Sequence, residues 1–564
     1  MIRTADAWVL VAALAALVAY GLAKARGTRD LQGFLLAGRS MPWPMVALSV
    51  MATQASAVTF MATPGQGYVG GLSFVQFYFG LPLAMVVLCA TLVPLYQKLR
   101  VRTAYEFLEQ RFDGKTRTLA AGLFLVQRGL AAGITLYAPA LVLSVILGWD
   151  IGLTCALLGA LVVGTIVIGG SQAVAQAHAL QFCIIIGTMV LAFVLVLRAL
   201  PDGMGFGDAL AMAGSAGKLN AVDMKFDPTS RYNVWAGLLG GFFLQLSYFG
   251  TDQSQVGRIL TAHSDRDSRL GLLLNGLLKI PMQFAILLLG VLVFVAWRFE
   301  PAPVFFNPAE VAKVAAGEHA AEWRAAETDW RASRAVLATS LVAERAAVRA
   351  HDDAAAAAAR GTARTADSTA NAARGRAIAW IKATDGNANT NDTNYIFVVY
   401  VLTHLPVGVV GLVLAAIFAA SMNSTMSELN ALASTTVVDV VQRLPWRVPE
   451  GALLGWSRAA TLFWTVFAIG FAQFAGRLGS LVEAVNIMGS LFYGAILGIF
   501  LTGFFVKRAG GHAVFIAALA GEAAVILCWK LTPLSFLWWN LVGCVLTVGL
   551  AVLLAPLFPR RAAA

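Results

Sequence analysis

Charge is what this 564-residue sequence has least of. Only 13% of its side chains are Asp, Glu, Lys or Arg, and 59% are hydrophobic, whereas soluble domains carry about 25% charged residues. That balance excludes a water-soluble fold, because the chain cannot supply polar surface for the three or four domains its length would otherwise suggest. Cysteine and histidine are also scarce, at five and six residues. Cys89, Cys155, Cys183, Cys528 and Cys544 all stand inside apolar runs with no CxxC or Cys/His spacing, so they read as packing residues. No HExxH and no Ser/Lys or paired-Asp pattern appears at membrane depth, which argues against an enzyme.

What the sequence has in abundance is long apolar runs. Thirteen reach the roughly 17 residues needed to cross about 30 Å of hydrocarbon. They begin near Trp8, Trp43, Leu72, Leu119, Ile151, Ala173, Val234, Leu272, Val407, Trp456, Leu481, Val514 and Phe536. Basic residues fall in alternate connections: Lys24, Arg26, Arg29 and Arg39; Lys98, Arg100, Arg102, Arg111, Lys115 and Arg117; Arg258, Arg266 and Arg269; Arg443 and Arg447; Lys507 and Arg508; Arg560 and Arg561. This positive-inside pattern predicts an outside N-terminus and a cytoplasmic C-terminus. It also assigns the net charge of +11 to topology, so no nucleic-acid partner is expected. The first run carries its basic flank after the apolar stretch, the reverse of a cleaved signal, and reads as an uncleaved helix.

From Glu300 to Asp392 the pattern breaks. The sequence turns Ala-rich and charged, with eleven basic and twelve acidic side chains, and predicts one or two solvated helices outside the membrane. The segment reads either as a lid or docking element or as a loosely constrained insertion. Trp323 and Trp330 share a helix face that would rest on the membrane surface or on the protein body.

Two spans are rich in glycine and embedded polar groups. SVMATQASAVTFMATPGQGYVGG carries Ser49, Thr53, Ser56, Thr59 and Thr63, with Pro64, Gly65 and Gly67 expected to end it; AGLLGGFFLQLSYFGTDQ carries Gln245, Ser247 and Tyr248. Each opens a block of five spans, and paired interrupted helices in corresponding positions point to a midplane transport site, although small residues also serve close helix packing. The ninth span, LAAIFAASMNSTMSELNALASTTVVDV, gathers Ser421, Asn423, Ser424, Thr425, Ser427 and Asn430. Such neutral oxygens suit a desolvated Na⁺ without the penalty of a buried carboxylate; hydroxyl back-bonding within the helix accounts for some of them.

FLLAGRSMPW, ATQASAVTF with PGQGY, TDQSQVGR, and LAAIFAASMNS with ELNALASTTVVDV together resemble the sodium:solute symporter family, over roughly Phe34 to Arg508 without the insertion. The resemblance implies an all-α polytopic membrane protein with about 13 transmembrane helices around a five-plus-five inverted-repeat core of the leucine-transporter type. The organisation expected from it is 1–42, first helix and cytoplasmic loop; 43–200, first repeat; 201–233, an extracytoplasmic loop; 234–299, the start of the second repeat; 300–393, the extracytoplasmic insertion; 394–508, the rest of the second repeat; and 509–564, two further helices and a short cytoplasmic tail.

Carried over residue by residue, the resemblance places a co-transported Na⁺ on the carbonyls of Ala52, Ala55 and Ala420 and the side chains of Asn423 and Ser424, with Asn423 where the family usually has Ser or Thr. His178 stands where some members have an Asp that supports sodium. That departure puts a second sodium in doubt and leaves either a protonatable group in the ion pathway or a neutral, hydrogen-bonded histidine. For the organic solute, Lys279 matches a lysine of the sugar branch, and Gln245 and Tyr248 its polar and gating positions; Tyr78 replaces that branch's acid. Thr59, Gln76 and Asn486 join the substrate-facing set. Arg128 matches an arginine that holds a carboxylate in the sialic acid branch. A charge at membrane centre costs roughly 2.5–3.5 kcal/mol on insertion scales, so Arg128 hints at an acidic solute or else pairs with a helix-end carbonyl or an acid such as Glu483.

The function expected is sodium-coupled import, by alternating access, of a small polar organic solute: a sugar, polyol, sugar acid or carboxylate. The partners are that solute and the lipid bilayer, and the location is the plasma membrane, here a bacterial inner membrane. A solute sensor or a passive channel on the same fold is the alternative; the sequence ends in PRRAAA soon after Leu557, without the signalling domain a sensor would carry.

Overall fold

The computed structural model describes residues 3–24, 37–445 and 448–559. Phe34 to Leu36 of the FLLAGRSMPW motif, and Arg26, Arg29, Arg447, Arg560 and Arg561 of the charge pattern, lie outside these residues. Among the described residues there are no β-strands, and nine helical stretches are long and apolar enough to cross a membrane, joined by three shorter apolar helices.

In chain order the helices are α1 (Thr4–Lys24), α2 (Trp43–Gln54), α3 (Ala57–Gly70), α4 (Leu81–Ala90), α5 (Leu92–Leu99), α6 (Glu106–Arg111), α7 (Gly114–Leu147), α8 (Ile151–Arg198), α9 (Phe206–Ser215), α10 (Gly241–Gly250), α11 (Gln253–Ile259), α12 (Asp265–Trp297), α13 (Pro308–Ala316), α14 (Ala320–Arg349), α15 (Asp353–Thr384), α16 (Thr393–His404), α17 (Val409–Thr435), α18 (Leu453–Ala475), α19 (Leu481–Phe505), α20 (Gly511–Leu531) and α21 (Phe536–Leu554). Helix α8 has 48 residues and would measure about 72 Å if straight. Both its ends lie on the insertion side, Gly152 against Gln473 and Gly203, just beyond it, accepting from Arg345 and Arg349. Its apolar parts, Ile151–Val167 and Leu180–Arg198, correspond to the two apolar runs expected from Ile151 and from Ala173.

Both glycine-rich spans are interrupted, but not at their glycines. Between α2 and α3, Ala55 (φ −82°, ψ 61°) ends one helix, and extended Ser56 starts the next by accepting the Thr59 N–H on its side chain. Between α10 and α11 the chain breaks at Thr251–Asp252, with Asp252 capping α11 through the Ser254 N–H. Short oxygen-bearing side chains are what a helix start needs, because the first N–H groups have no partner within the helix. Helix α3 runs on through Pro64, Gly65 and Gly67 to Gly70, so the expected termination there is wrong. These glycines permit close packing instead. A Cβ at Gly65 would lie 2.0 Å from the Thr393 carbonyl oxygen, one at Gly67 2.3 Å from that of Leu287, and one at Gly237 1.9 Å from that of Gln76.

The segment between α12 and α16 is dominated by the hairpin of α14 and α15, which lies against the protein body. Trp323 and Trp330 are buried; the Trp330 indole donates to the Ala302 carbonyl at 2.7 Å, and Arg334 reaches the Trp297 carbonyl. Arg374 donates to the Val304 carbonyl at 2.5 Å and to Asp392 at 2.7 Å. At the opposite end of the bundle, Arg117 of α7 pairs with Asp439 and Glu109, each at 2.7 Å, tying α6 and α7 to the end of the α17 segment.

Candidate functional site

The α2–α3 break lines a cavity of about 100 Å³, and Asp252 of the second break touches two of its lining residues, Arg128 and Tyr493. Its wall takes Thr53, Gln54, Ser56 and Thr59 from the α2–α3 break, Tyr78, Gln245 and Tyr248 from the segments around them, Arg128 and Thr135 from α7, Lys279 from α12, Ser424 and Glu428 from α17, and Asn486 and Tyr493 from α19. A helix end leaves carbonyls and N–H groups without intrahelical partners, so polar backbone faces this space at lipid depth without exposure to hydrocarbon.

On the α17 side, the Ser424 hydroxyl lies 3.1 Å from the Thr53 carbonyl and 3.3 Å from the Ala420 carbonyl. The Thr53 hydroxyl donates to the Ser49 carbonyl at 2.8 Å and meets the Ser427 hydroxyl at 3.1 Å. Ala52, Ala55 and Ala420 are fully buried. Asn423 is also fully buried, and neither its amide oxygen nor its nitrogen has a hydrogen-bond partner among the described residues. A buried amide oxygen without a donor is free to ligate a hard cation, so this donor set fits Na⁺. His178 does not reach the cavity wall; its Nδ1 lies 3.1 Å from the Ser49 hydroxyl, one step behind Thr53. The side chains of 168–177 and 179 around it lie outside the description.

On the substrate side the structure separates the expected residues. Thr59, Tyr78, Arg128, Gln245, Tyr248, Lys279 and Asn486 all line the cavity. Gln76 does not. Its amide donates to the Ser73 and Tyr232 carbonyls at 3.1 and 3.2 Å and accepts from the Asp223 N–H at 2.8 Å, so its polar atoms are spent on holding the connection that follows α9.

Arg128 is paired, though not with Glu483. It contacts Asp252, donates to Glu428 at 3.0 Å and to the Tyr493 hydroxyl at 2.8 Å. Glu483 sits instead with Arg231, Tyr232 and Gln66 at 2.5, 2.7 and 3.0 Å. With two carboxylates already on its guanidinium, Arg128 has no charge to offer a solute. The reading of the ninth span as an oxygen site without a buried carboxylate is corrected as well, since Glu428 is 5% exposed. An acid inside a membrane-depth helix is by default functional, and both Glu428 and Asp252 stood in the quoted stretches; this was the signal that could have found them.

Lys279 is the opposite case. It is 2% exposed, its ammonium lies 5.4 Å from the Tyr78 ring centre, and no carboxylate pairs with it among the described residues. The cavity therefore presents one cation that no carboxylate of the described residues pairs with.

A sequence model of the sodium:solute symporter family matches residues 34–323 and 375–521. The human sodium-coupled monocarboxylate transporter 1 is 26% identical over 498 residues, covering 88% of this chain and 68% of that protein. The human sodium/iodide cotransporter is 30% identical over 255 residues, 45% of this chain and 39% of that protein. A solved structure of a substrate-bound, outward-open Na⁺-coupled sialic acid symporter matches with a TM-score of 0.76 at 21% identity, covering 100% of each chain. That likeness is one of fold.

Proposed function

We propose, for a chain that belongs to the sodium:solute symporter family and so couples Na⁺ to the movement of a small solute, that the solute is a small organic carboxylate and that its carboxylate binds Lys279. The observation that carries this is the lysine itself. A buried ammonium is costly unless a negative partner compensates it, and here the cavity is the side from which that partner can come. Hydroxyls and amides of Thr59, Gln245 and Asn486 line the same space and suit the polar remainder of a solute. The sodium-coupled monocarboxylate transporter among the relatives supports the same class.

Sodium is held by the Ala52, Ala55 and Ala420 carbonyls with Asn423 and Ser424. It draws the α2 break against α17, and Thr53 and Ser424, which contact each other, carry that closure into the cavity wall. Na⁺ entering down its gradient and the membrane potential supplies about 2.3 kcal/mol per charge per 100 mV, which drives import. His178 steadies Ser49 behind the site. The insertion and the N-terminus face outward and the C-terminus the cytoplasm, in a bacterial inner membrane.

The test is a thermal-shift panel on the purified protein, with short carboxylates, their amides, sugars, polyols and sugar acids, each with Na⁺ or with K⁺. Stabilisation by a short carboxylate only in Na⁺ is expected, because a ligand of the folded state raises apparent stability. Stabilisation by a sugar or polyol, with none by any carboxylate, overturns the reading.

A further inference from the structure

We infer that a second cavity, of about 700 Å³, between the end of α5, the start of α12 and the segment leading into α2, binds the headgroup of an anionic phospholipid. The insertion follows the other end of α12, so the lipid belongs to the leaflet opposite the insertion. This goes beyond the carboxylate reading and does not depend on it.

Three cations, Arg39, Lys98 and Arg100, line the cavity against one acid, Asp265. Asp265 is paired with Arg269 at 2.6 Å. The neighbouring Asp267 accepts from the Trp43 N–H at 3.1 Å and from the Ser264 hydroxyl at 2.5 Å, and Glu106 is held by Arg117 at 3.8 Å and the Arg102 N–H at 3.2 Å. None of the three cations makes an ion pair among the described residues. Arg39 donates through Nη2 to the Arg100 and Val101 carbonyls at 2.9 and 2.6 Å, which occupies acceptors that would repel an anion, and its Nε has no partner. Arg39 and Arg100 stand at φ 53° and 49°, two of the three non-glycine residues with positive φ among the described residues. At Arg100 this is the left-handed cap that ends α5, a position that glycine fills without strain. Two arginines held in this conformation at one cavity mark a place where the side chain is kept at a cost to the backbone.

Guanidinium and ammonium groups bind phosphate oxygens through charge-assisted hydrogen bonds. A lipid headgroup and a free phosphate share that chemistry, and the surroundings favour the lipid. The α4–α5 segment and α12 lie side by side: the Cys89 thiol donates to the Arg269 carbonyl at 3.6 Å and the Gln97 amide to the Ser268 hydroxyl at 2.8 Å. Leu83, Val86 and Ala90 are exposed along α4, and Leu270, Leu273 and Leu277 along α12, each set spaced as one helix face. Both rows lie in stretches long and apolar enough to cross a membrane, and both lead to the cavity. Acyl chains thus have an apolar track beneath a basic pocket, the arrangement that takes anionic headgroups between membrane helices. The rim also joins the start of α2, because the Met41 N–H donates to the Thr261 carbonyl at 3.1 Å and the His263 N–H to the Met41 carbonyl at 2.9 Å.

The experiment titrates delipidated protein in an uncharged detergent with phosphatidylglycerol or phosphatidylcholine and counts bound lipid by native mass spectrometry. Parallel samples receive inorganic phosphate or ATP. One phosphatidylglycerol is expected to bind about tenfold or more tighter than phosphatidylcholine, with inorganic phosphate and ATP far weaker. At about fivefold per basic residue, Lys98→Gln should weaken phosphatidylglycerol by about fivefold and the pair Arg39→Gln and Arg100→Gln by about twentyfold. The pair Lys507→Gln and Arg508→Gln, which removes the same charge from the loop after α19, should leave it unchanged. Equal binding of the two lipids overturns the inference, and so does an equal loss in the Lys507 and Arg508 variant, which would mean attraction by overall charge. Inorganic phosphate or ATP binding as tightly as phosphatidylglycerol assigns the cavity to a soluble phosphate and overturns it too. Lys98 makes no side-chain hydrogen bond or ion pair among the described residues, so its variant keeps the test decisive if the double arginine variant fails to fold. No organic solute is present, so failure here leaves the carboxylate reading untouched.

Discussion

Replacing Lys279 with methionine separates recognition from folding in a way few buried charges allow. The ammonium is 2% exposed and has no carboxylate partner among the described residues, so removing it leaves none of them unpaired. Methionine is close in volume and suited to irregular apolar space beside Tyr78. The variant is therefore expected to be as thermally stable as the wild type in the absence of solute, or slightly more so. Solute binding should suffer heavily, because truncating one partner of a desolvated, hydrogen-bonded charge pair costs about 2–5 kcal/mol. At 1.4 kcal/mol per factor of ten, that raises the half-saturating carboxylate concentration by about thirtyfold to several thousandfold. The assay compares uptake of a short carboxylate with that of its uncharged amide. Wild type should discriminate strongly between them, Lys279→Met should treat them nearly alike, and Lys279→Arg should keep the preference. A Lys279→Met protein that still prefers the carboxylate by the wild-type factor would refute the assignment of the carboxylate to Lys279.

Arg128→Met should behave in the opposite way. It strands Asp252 and Glu428 together, and breaking a buried pair from one side costs about 3–5 kcal/mol, seen as a large fall in melting temperature with and without solute. Ser424→Ala should raise the Na⁺ concentration for half-maximal uptake several-fold, in line with about 1 kcal/mol for one hydroxyl ligand; unaltered sodium dependence removes Ser424 from the site. Trp330→Ala should loosen the insertion hairpin by about 3–5 kcal/mol, read as faster hydrogen exchange across α14 and α15. Gly237→Ala places a Cβ 1.9 Å from the Gln76 carbonyl oxygen and should abolish folded, monodisperse protein, because backbone has to move.

The membrane-spanning helices were legible because hydrophobic run length is a one-dimensional property. The helix breaks were legible in kind but not in place. Glycine and proline drew attention to Pro64, Gly65 and Gly67, yet those residues serve interhelical contact, and the actual interruptions lie at Ser56 and Asp252, whose capping side chains are the more local signal. Arg128 could be seen to need a partner, but Asp252 and Glu428 lie 124 and 300 residues away, and only the folded chain brings them together. Gln76 has the polarity of a binding residue and spends it on Tyr232 and Asp223, a tertiary fact with no trace in its own neighbourhood. Lys279 was found from the sequence, but its want of a carboxylate partner among the described residues, the property that carries the functional argument, belongs to the packed cavity.

The most direct test of sodium-coupled carboxylate import is accumulation in proteoliposomes. Labelled short carboxylate is supplied outside under an inward Na⁺ gradient, and its internal concentration is followed in time. The account predicts a transient rise above the external concentration that disappears when Na⁺ is equal on both sides. Equal uptake with Na⁺, K⁺ or choline outside, never exceeding the external concentration, would contradict it.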